Sequence, residues 1–553
     1  MLRKEGIIIK RYINDLKREF KGYDGKKFSK DLMAGLTVAA VALPLALAFG
    51  VSSGADAASG LITAIVAGVV IGILSGASYQ ISGPTGAMAA ILISLSAKYG
   101  MNGVLIAGLL SGVFLLLMAA FKIGKLVSYI PTPVITGFTS GIAIIIALGQ
   151  IDNFFGTTSK GENAVEKLIS YSEFGFLPDW WTVAIGAMVV LIMIVYPKKL
   201  NAYFPSSLAA IVVAVILNFI IDPGVAEVGA IPKTLITDQS LLVSGFDFSN
   251  IKSLIMPAVS IALLGMIESL LCGSAAGKMK GEKLNSTREL VAQGVGNIVI
   301  PLFGGVPATA AIARTSVVIK SGGQTRLASV IHSITLILSM FLLGGVMSRI
   351  PLAALAGVLM VTAFRMNDWS SIRQYFGKRL IHSSLQFIVT MVATVLFDLT
   401  VAIVIGVIVA MLIFILKSSD LKIDISDVDD ERLGYKGKNT HKGIKIVYLA
   451  GPLFFGTQEQ LTSALDDMTD IHAVVFSMRG VPNIDDSAIS ELEAICDEYS
   501  KRGVTVLFCG VQVQVKKTMK RAGFCDKIGE DKFLWDAVTA IEKLDSELNI
   551  INV

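Results

Sequence analysis

The feature that most limits what this chain can become is the spacing of its apolar blocks. Up to Leu416 the sequence runs through one apolar stretch after another. Each is roughly 16–22 residues long, enough to cross a hydrocarbon core of about 30 Å. The composition agrees: 53% of residues are hydrophobic and only 16% charged, where a soluble chain carries about a quarter charged. From Lys417 to Val553 charges recur at short intervals and no spanning block follows. Two units are therefore expected: a membrane domain at 31–416 and a soluble tail of ordinary single-domain size.

Residues 1–30 form a basic leader containing Arg3, Lys4, Lys10, Arg11, Lys17, Arg18, Lys21, Lys26, Lys27 and Lys30. No small-residue cleavage site follows a short apolar core, so it is not read as a removable signal. Ile9, Ile13, Leu16 and Phe20 recur at helical spacing. Both an interfacial amphipathic helix and a solvated leader that only fixes topology fit this pattern. Cys272, Cys496, Cys509 and Cys525 show no CxxC spacing; His332, His382, His441 and His472 are scattered, so no metal site is expected.

In order, the blocks lie near 31–50, 58–76, 84–98, 103–121, 128–150, 181–197 and 204–221. A second set lies near 254–275, 288–303, 308–319, 325–346, 351–366, 383–397 and 399–416. With the basic leader inside, the loops carrying Lys122 and Lys125, Lys198 and Lys199, Lys278 to Arg288, Lys320 and Arg326, and Arg365 to Arg379 all fall on the inner side. Lys160, Lys167, Lys233 and Lys252 supply most of the sparser outer charge. This is the positive-inside bias, and it places both termini in the cytoplasm. Seven spans per set means that the second set runs inverted relative to the first.

Ser82-Gly83-Pro84-Thr85-Gly86-Ala87 opens the third block, and Gly305-Val306-Pro307-Ala308-Thr309-Ala310 opens the tenth. Paired short, interrupted spans in two halves point to a transporter's binding site. Their free N–H groups and positive dipole ends suit an anion; simple kinking at Gly and Pro is the plainer alternative. Glu268 lies well inside the eighth span and Arg314 follows the Pro307 break. Intramembrane charges are functional candidates by default, although an ion pair locking two helices would also place them there. A proton-coupling role suits Glu268, because leaving water favours the neutral form of a carboxyl group; Arg314 would hold positive potential. Gly68, Gly72, Gly76, Gly294, Gly296, Gly304 and Gly305 read as helix packing. No GxxxxGK[ST] motif for nucleotide phosphates occurs, which favours a secondary transporter.

At these residues the chain resembles the sulfate permease (SulP) family of anion transporters. The matching pieces are Ala34-Gly35-Leu36-Thr37 with Leu43 to Phe49, Gln80 to Gly86, Glu289 to Asn297, and Phe303 through Arg314-Thr315. The resemblance implies an all-α membrane domain of 14 transmembrane segments in a 7+7 inverted repeat, split into core and gate, with elevator-like transport. By motif it places Phe49, Thr85, Gly86, Ala87, Glu268, Ala310, Ala311, Ile312 and Arg314 around the anion. The first and third spans are most similar to the sodium–bicarbonate branch, which is expected to hold sodium with an aspartate and threonine hydroxyls. Here the acid is Glu268, Cys272 stands one turn later, and Ile312 occupies another hydroxyl position. Hard cations want oxygen ligands, so proton symport through Glu268 is at least as good a reading, and the coupling ion stays open between H+ and Na+.

The tail resembles a STAS domain at 441–553, after a linker at 417–440. Gly443 to Leu449, Ala473 to Met478 and Val504 to Phe508 read as strands and Asp486 to Tyr499 as an amphipathic helix, which predicts a small sheet with helices packed on it, a cytoplasmic α/β domain. Ile484 to Ile489 is similar to the loop phosphorylated in soluble relatives, which puts Ser487 at that position; Asp486 or Ser487 also makes an ordinary N-cap. The expected function is secondary transport of a small oxyanion (sulfate, bicarbonate or a dicarboxylate) across the plasma membrane by a homodimer with no resident cofactor. An uncoupled anion channel or exchanger, or a membrane-anchored signalling scaffold acting through the tail, are the alternatives. No nucleophile, base or metal constellation suggests an enzyme, and partners beyond the anion and the lipid bilayer are limited to a cytoplasmic protein docking on the tail, with no nucleic acid.

Overall fold

The computed structural model describes residues 12–160, 164–197, 199–202, 204–245, 251–397, 399–430, 441–466, 468 and 470–548. Arg3, Lys4, Ile9, Lys10 and Arg11 of the leader, Lys198, and residues 431–440 of the expected linker lie outside them. The chain divides into two compact units, Met1–Ile408 and Val409–Val553.

In the first unit the apolar blocks become helices. The first half contains α1 (Gly25–Ser52), α2 (Ala57–Leu74), the two-residue strand β1 (Ser82–Gly83), α3 (Gly86–Ala120), α4 (Thr132–Gly149), α5 (Trp180–Val195) and α6 (Ser206–Ile221). The second contains α7 (Ile251–Lys280), α8 (Ser286–Val299), strand β2 (Thr309–Ala310), α9 (Ile312–Lys320), α10 (Leu327–Met347), α11 (Leu352–Met366) and α12 (Ile381–Leu396). The last helix, α13 (Leu399–Ser418), runs across the division between the units. Among the described residues, 7 helices are long and apolar enough to cross a membrane, and α5, α6, α11 and α12 are shorter apolar helices. Helix α3 is 35 residues long and breaks at Gly100, with φ 66° and ψ −175°, a conformation open only to glycine. The break falls where the sequence separates the third and fourth blocks. Leu191, Ile194, Phe219, Leu342 and Phe414 are each more than 60% exposed, a surface suited to lipid and not to water.

The helices sort into two groups by what they pack against. Helices α1, α2, α3, α7, α8, α9 and α10 pack chiefly on one another, as do α4, α5, α6, α11 and α12. The groups meet where α3 touches α4 and where α1 touches α6 and α11. Small residues set the closest crossings. A Cβ on Gly60 would collide with the Ala46 carbonyl oxygen, and one on Gly112 would lie 2.6 Å from the Gly294 carbonyl oxygen. Gly68 and Gly72 face His332, Ser333 and Ser329 of α10, while Gly76 faces Asn285 and Glu289. These glycines meet protein, as close packing requires.

The described end of the leader is helical over 12–19 and is clasped by the first helix group. Tyr12 Oη donates to the Ile73 carbonyl at 2.8 Å, and the Arg288 guanidinium lies 4.5 Å from its ring centre. Asp15 pairs with Arg288 at 3.0 Å and Glu19 with Arg326 at 2.7 Å. The leader and the loops before α8 and α10 therefore lie on one side, as the charge bias predicts.

The second unit carries a sheet in the order β3 (Lys422–Asp427), β4 (Ile444–Ala450), β5 (Ala473–Gly480), β6 (Thr505–Cys509) and β7 (Phe533–Leu534). Edge strand β3 is antiparallel to β4; the other pairs are parallel. Strand β3 occupies part of the stretch expected as a linker. Alternation decides its membership: Ile423 and Ile425 pack against the core of the unit while their neighbours face outward. Helices α14 (Gln458–Asp466), α15 (Asp486–Lys501), α16 (Val513–Arg521) and α17 (Ala537–Leu548) complete it. Phe476 and Phe508 stack at 5.5 Å in its centre. His441 sits between Asp430, after β3, and Asp545 of α17, with Nε2 2.7 Å from Asp545 Oδ1. Burial opposes its charge, but the two carboxylates prevail and hold the imidazolium above its ordinary range.

Two outcomes follow from this packing. Gly60→Ala is expected to destabilise the protein by roughly 1–3 kcal/mol, read as a lower melting temperature in detergent. Gly345→Ala, whose Cβ meets nothing within 4 Å, should change it by less than about 0.5 kcal/mol. The raised pKa of His441 means that its contribution is full below the unfolded value of 6.5 and is lost as pH rises through the native value. The unfolding transition of the second unit should therefore fall in temperature as pH rises above 6.5 through the native value, and His441→Gln should flatten that slope.

Candidate functional site

The two interrupted segments meet. Strand β1 pairs antiparallel with β2, Ser82 opposite Ala310 and Gly83 opposite Thr309. Pro84, with no N–H to donate, ends the ladder, and helix α3 starts two residues later with Thr85 as N-cap. Across the ladder Ala311 is the N-cap of α9, and its N–H donates to the Ile81 carbonyl at 3.0 Å. The first-turn N–H groups of both helices have no partner within their own helix, so two positive dipole ends are brought to one place.

The charged candidates flank this clasp. Thr85 Oγ1 donates to Glu268 Oε2 at 3.0 Å, tying α7 to the amino end of α3. Arg314, in the first turn of α9, is 1% exposed and crosses to the residue after β1, where Nη2 donates to the Pro84 carbonyl. Its Nε and Nη1 have no protein partner. A Cβ on Gly83 would collide with Nη1, so only glycine leaves room for the guanidinium. Glu268 and Arg314 are not bonded to each other: one takes a hydroxyl and the other a carbonyl. The helix-locking ion pair weighed from sequence is therefore not what these charges form.

The remaining positions fall into place around them. Gly86 and Ala87 are buried in the first turn of α3, and Phe49 closes on Gly86, whose Cβ would lie 3.1 Å from Phe49 Cε1. Ala310 donates its N–H to Ser269 Oγ at 3.2 Å. Ile312 opens α9 with its side chain 48% exposed. Cys272 Sγ lies 3.5 Å from Thr315 Oγ1. Ser487 belongs to the second unit, exposed in the first turn of α15. The cap of that helix is Asp485, which accepts from the Ala488 N–H at 2.9 Å, and neither Asp486 nor Ser487 fills the role. Among the described residues no group of three or more His, Cys, Asp and Glu is gathered to hold a metal.

A buried polar frame supports the clasp, and the sequence reading did not single it out. Asn297 brackets Ala308, donating to its carbonyl at 2.9 Å and accepting from its N–H at 2.8 Å. Gln293 Nε2 donates to Ser82 Oγ and to Glu289 Oε1, both at 2.9 Å. Glu289 also accepts from Ser75 Oγ at 2.7 Å and the Gly76 N–H at 2.9 Å. Ser269 and Thr309 share a hydroxyl bond at 2.8 Å, and Thr315 Oγ1 accepts from the Ile81 N–H at 3.1 Å. Polar side chains within apolar blocks were the available signal, had the intramembrane argument been extended from charges to amides and hydroxyls.

Residues 28–393 match the profile of the sulfate permease family, and residues 435–539 match the STAS domain. This chain belongs to the sulfate permease family. It is a multi-pass membrane transporter of anions and not an enzyme. It is similar to the putative sulfate transporter YvdB of Bacillus subtilis, 34% identical over 93% of this chain and 97% of the relative. It is also similar to the bicarbonate transporter BicA of Picosynechococcus, 30% identical over 93% and 94%. The solved transmembrane domain of a cyanobacterial BicA superposes with a TM-score of 0.63 at 29% identity, covering 69% of this chain and 98% of that one. The overall structure of SLC26A9 matches with a TM-score of 0.80 over 96% and 92%; at 18% identity the likeness is one of fold. Gly83→Ala is expected to push the Arg314 guanidinium aside and destabilise the protein by roughly 1–3 kcal/mol. Scanning calorimetry of the purified protein measures it.

Proposed function

We propose that this chain is a proton-coupled symporter for a small oxyanion, sulfate or bicarbonate before a dicarboxylate. The observation that carries the reading is the β1–β2 clasp, which gathers two helix amino ends, the unpartnered Arg314 donors and the Glu268 carboxyl within one buried frame. Relatives named for sulfate and for bicarbonate frame the substrate class. The anion takes the first-turn N–H groups near Gly86, Ala87 and Ile312, with Phe49, Ala310 and Ala311 as apolar walls and Arg314 as the fixed positive charge. Glu268 takes up the coupling proton. Against sodium stands a poor oxygen set: Ile312 offers an apolar side chain, and Cys272 is engaged with Thr315.

In this reading the spans number fourteen, counting α3 as two, in two inverted sets of seven. The first helix group is the core and the second the gate, and the core moves past the gate as an elevator. The protein is a homodimer in the plasma membrane with both termini in the cytoplasm. The STAS unit docks a cytoplasmic partner. Phosphorylation of Ser487 would place negative charge at the positive end of α15, where it is tolerated.

The test is uptake of labelled sulfate, bicarbonate and fumarate into proteoliposomes under an imposed proton or sodium gradient. Proton-driven uptake should disappear in Glu268→Gln while the anion still binds. Arg314→Ala should weaken binding by roughly 10–100-fold, the equivalent of one charged hydrogen bond. Sodium-driven uptake would replace the proton assignment, and flux indifferent to both gradients would make the protein an uncoupled exchanger or channel.

A further inference from the structure

A cavity of about 510 Å³ runs along the first stretch of α3. Residues of α1, α3 and α7 line one side and residues of α4 and α12 the other, so it lies between the two helix groups. Its inner end reaches Ala89 and Ile146, and a Cβ on Gly86 would collide with Ile146 Cδ1. The cavity therefore approaches the amino end of α3. Its other end is lined by Lys98, Tyr99 and Lys167. Lys98 stands 12 residues beyond Gly86 on α3, a rise of about 18 Å.

The charge of this lining is one-sided. Two lysines contribute and no aspartate or glutamate does. Lys98 is exposed, with its ammonium 5.5 Å from the Tyr99 ring centre, and Lys167 is half-buried on the helix Ala164–Phe174. Among the described residues neither ammonium is held in an ion pair. A low-dielectric cleft lined by one sign of charge focuses the field and raises the local concentration of the opposite ion. Both lysines belong to segments that the positive-inside bias assigns to the outer side, where positive charge is scarce.

We propose that this cavity is an outer anion-capture site, in which Lys98 and Lys167 gather a small oxyanion and hold it loosely ahead of the Arg314 site. The proposal rests on the transport reading above and adds to it the route by which the anion arrives. At about 18 Å of helix rise from the amino end of α3, Lys98 lies beyond the Debye length of roughly 8 Å at physiological salt. The two lysines act on capture and leave the translocation step alone.

The experiment compares wild type, Lys98→Gln, Lys167→Gln, the double variant and the Lys→Arg pair, using labelled sulfate and bicarbonate. Uptake is measured in right-side-out and inside-out membrane vesicles. External KM should rise by about 3-fold in each single variant and about 10-fold in the double, with kcat unchanged and the arginine variants restored. The difference should vanish between ~0.01 M and ~1 M salt, as the Debye length falls from about 30 Å to about 3 Å. Inside-out vesicles should show no change. Unchanged external KM with an active wild type, or an equal rise from both faces, overturns the capture site and leaves the transport reading standing. Failure of the wild type to carry either anion strikes the transport reading, and a second measurement then decides this one. Acylation of Lys98 and Lys167 by a membrane-impermeant amine reagent should be slowed by external sulfate, as read by mass spectrometry. Absence of protection overturns the proposal.

Discussion

Everything in the membrane unit depends on two short pieces of backbone that are not helical. Inside an apolar medium each unpaired N–H or carbonyl is costly, so a chain that unwinds at Ser82 and again at Thr309 must find partners for what it exposes. Each segment finds them in the other. The ladder between Ser82-Gly83 and Thr309-Ala310, completed by Asn297 on Ala308 and Thr315 on Ile81, satisfies the polar groups and fixes the ends of α3 and α9 together. The local positive potential is a by-product of the same geometry. Helices that begin at the clasp leave their first N–H groups pointing into the space beside it.

The polar frame is confined to one side of the molecule. Glu268, Arg314, Gln293, Asn297, Glu289, Ser269 and Thr309 come from α7, α8, α9 and β2, bonding to the loops after α2 and to β1. From the second helix group Ile146 faces the amino end of α3, beside Gly86. A surface joined by few directional bonds can be separated without breaking a network, whereas the helices of the bonded side are tied to one another by theirs.

Much of this was legible in the sequence, for identifiable reasons. The apolar blocks located the helices, with ends displaced by as much as the six residues between Gly25 and Asp31 at α1, because an apolar run in a bilayer must be helical while its ends are set by caps outside it. The Gly-Pro breaks marked where both spans are interrupted, though not that the interruptions pair as strands, because Pro84 and Pro307 cannot extend a ladder or a helix interior. Arg314 and Glu268 stood out because charge is rare among such neighbours. What was not legible depends on contacts between distant residues. Nothing local says that Gln293 reaches Ser82, 211 positions away, or that Arg314 ends on a carbonyl rather than on Glu268. Strand β3 was read as linker because its charged outer face hides the alternation of Ile423 and Ile425, and Asp485 was passed over as a cap for its neighbours because three polar residues stand in a row.

The leader has a mechanical consequence of its own. Tyr12, Asp15 and Glu19 are fastened to Ile73, Arg288 and Arg326, and Asp31 at the foot of α1 holds Thr325 at 2.6 Å. Among the described residues, all of these anchors sit on the bonded side of the molecule. Residues 12–19 are thus fastened to the first helix group alone, and the distance from a probe on them to one on the second group reads the separation of the two groups directly.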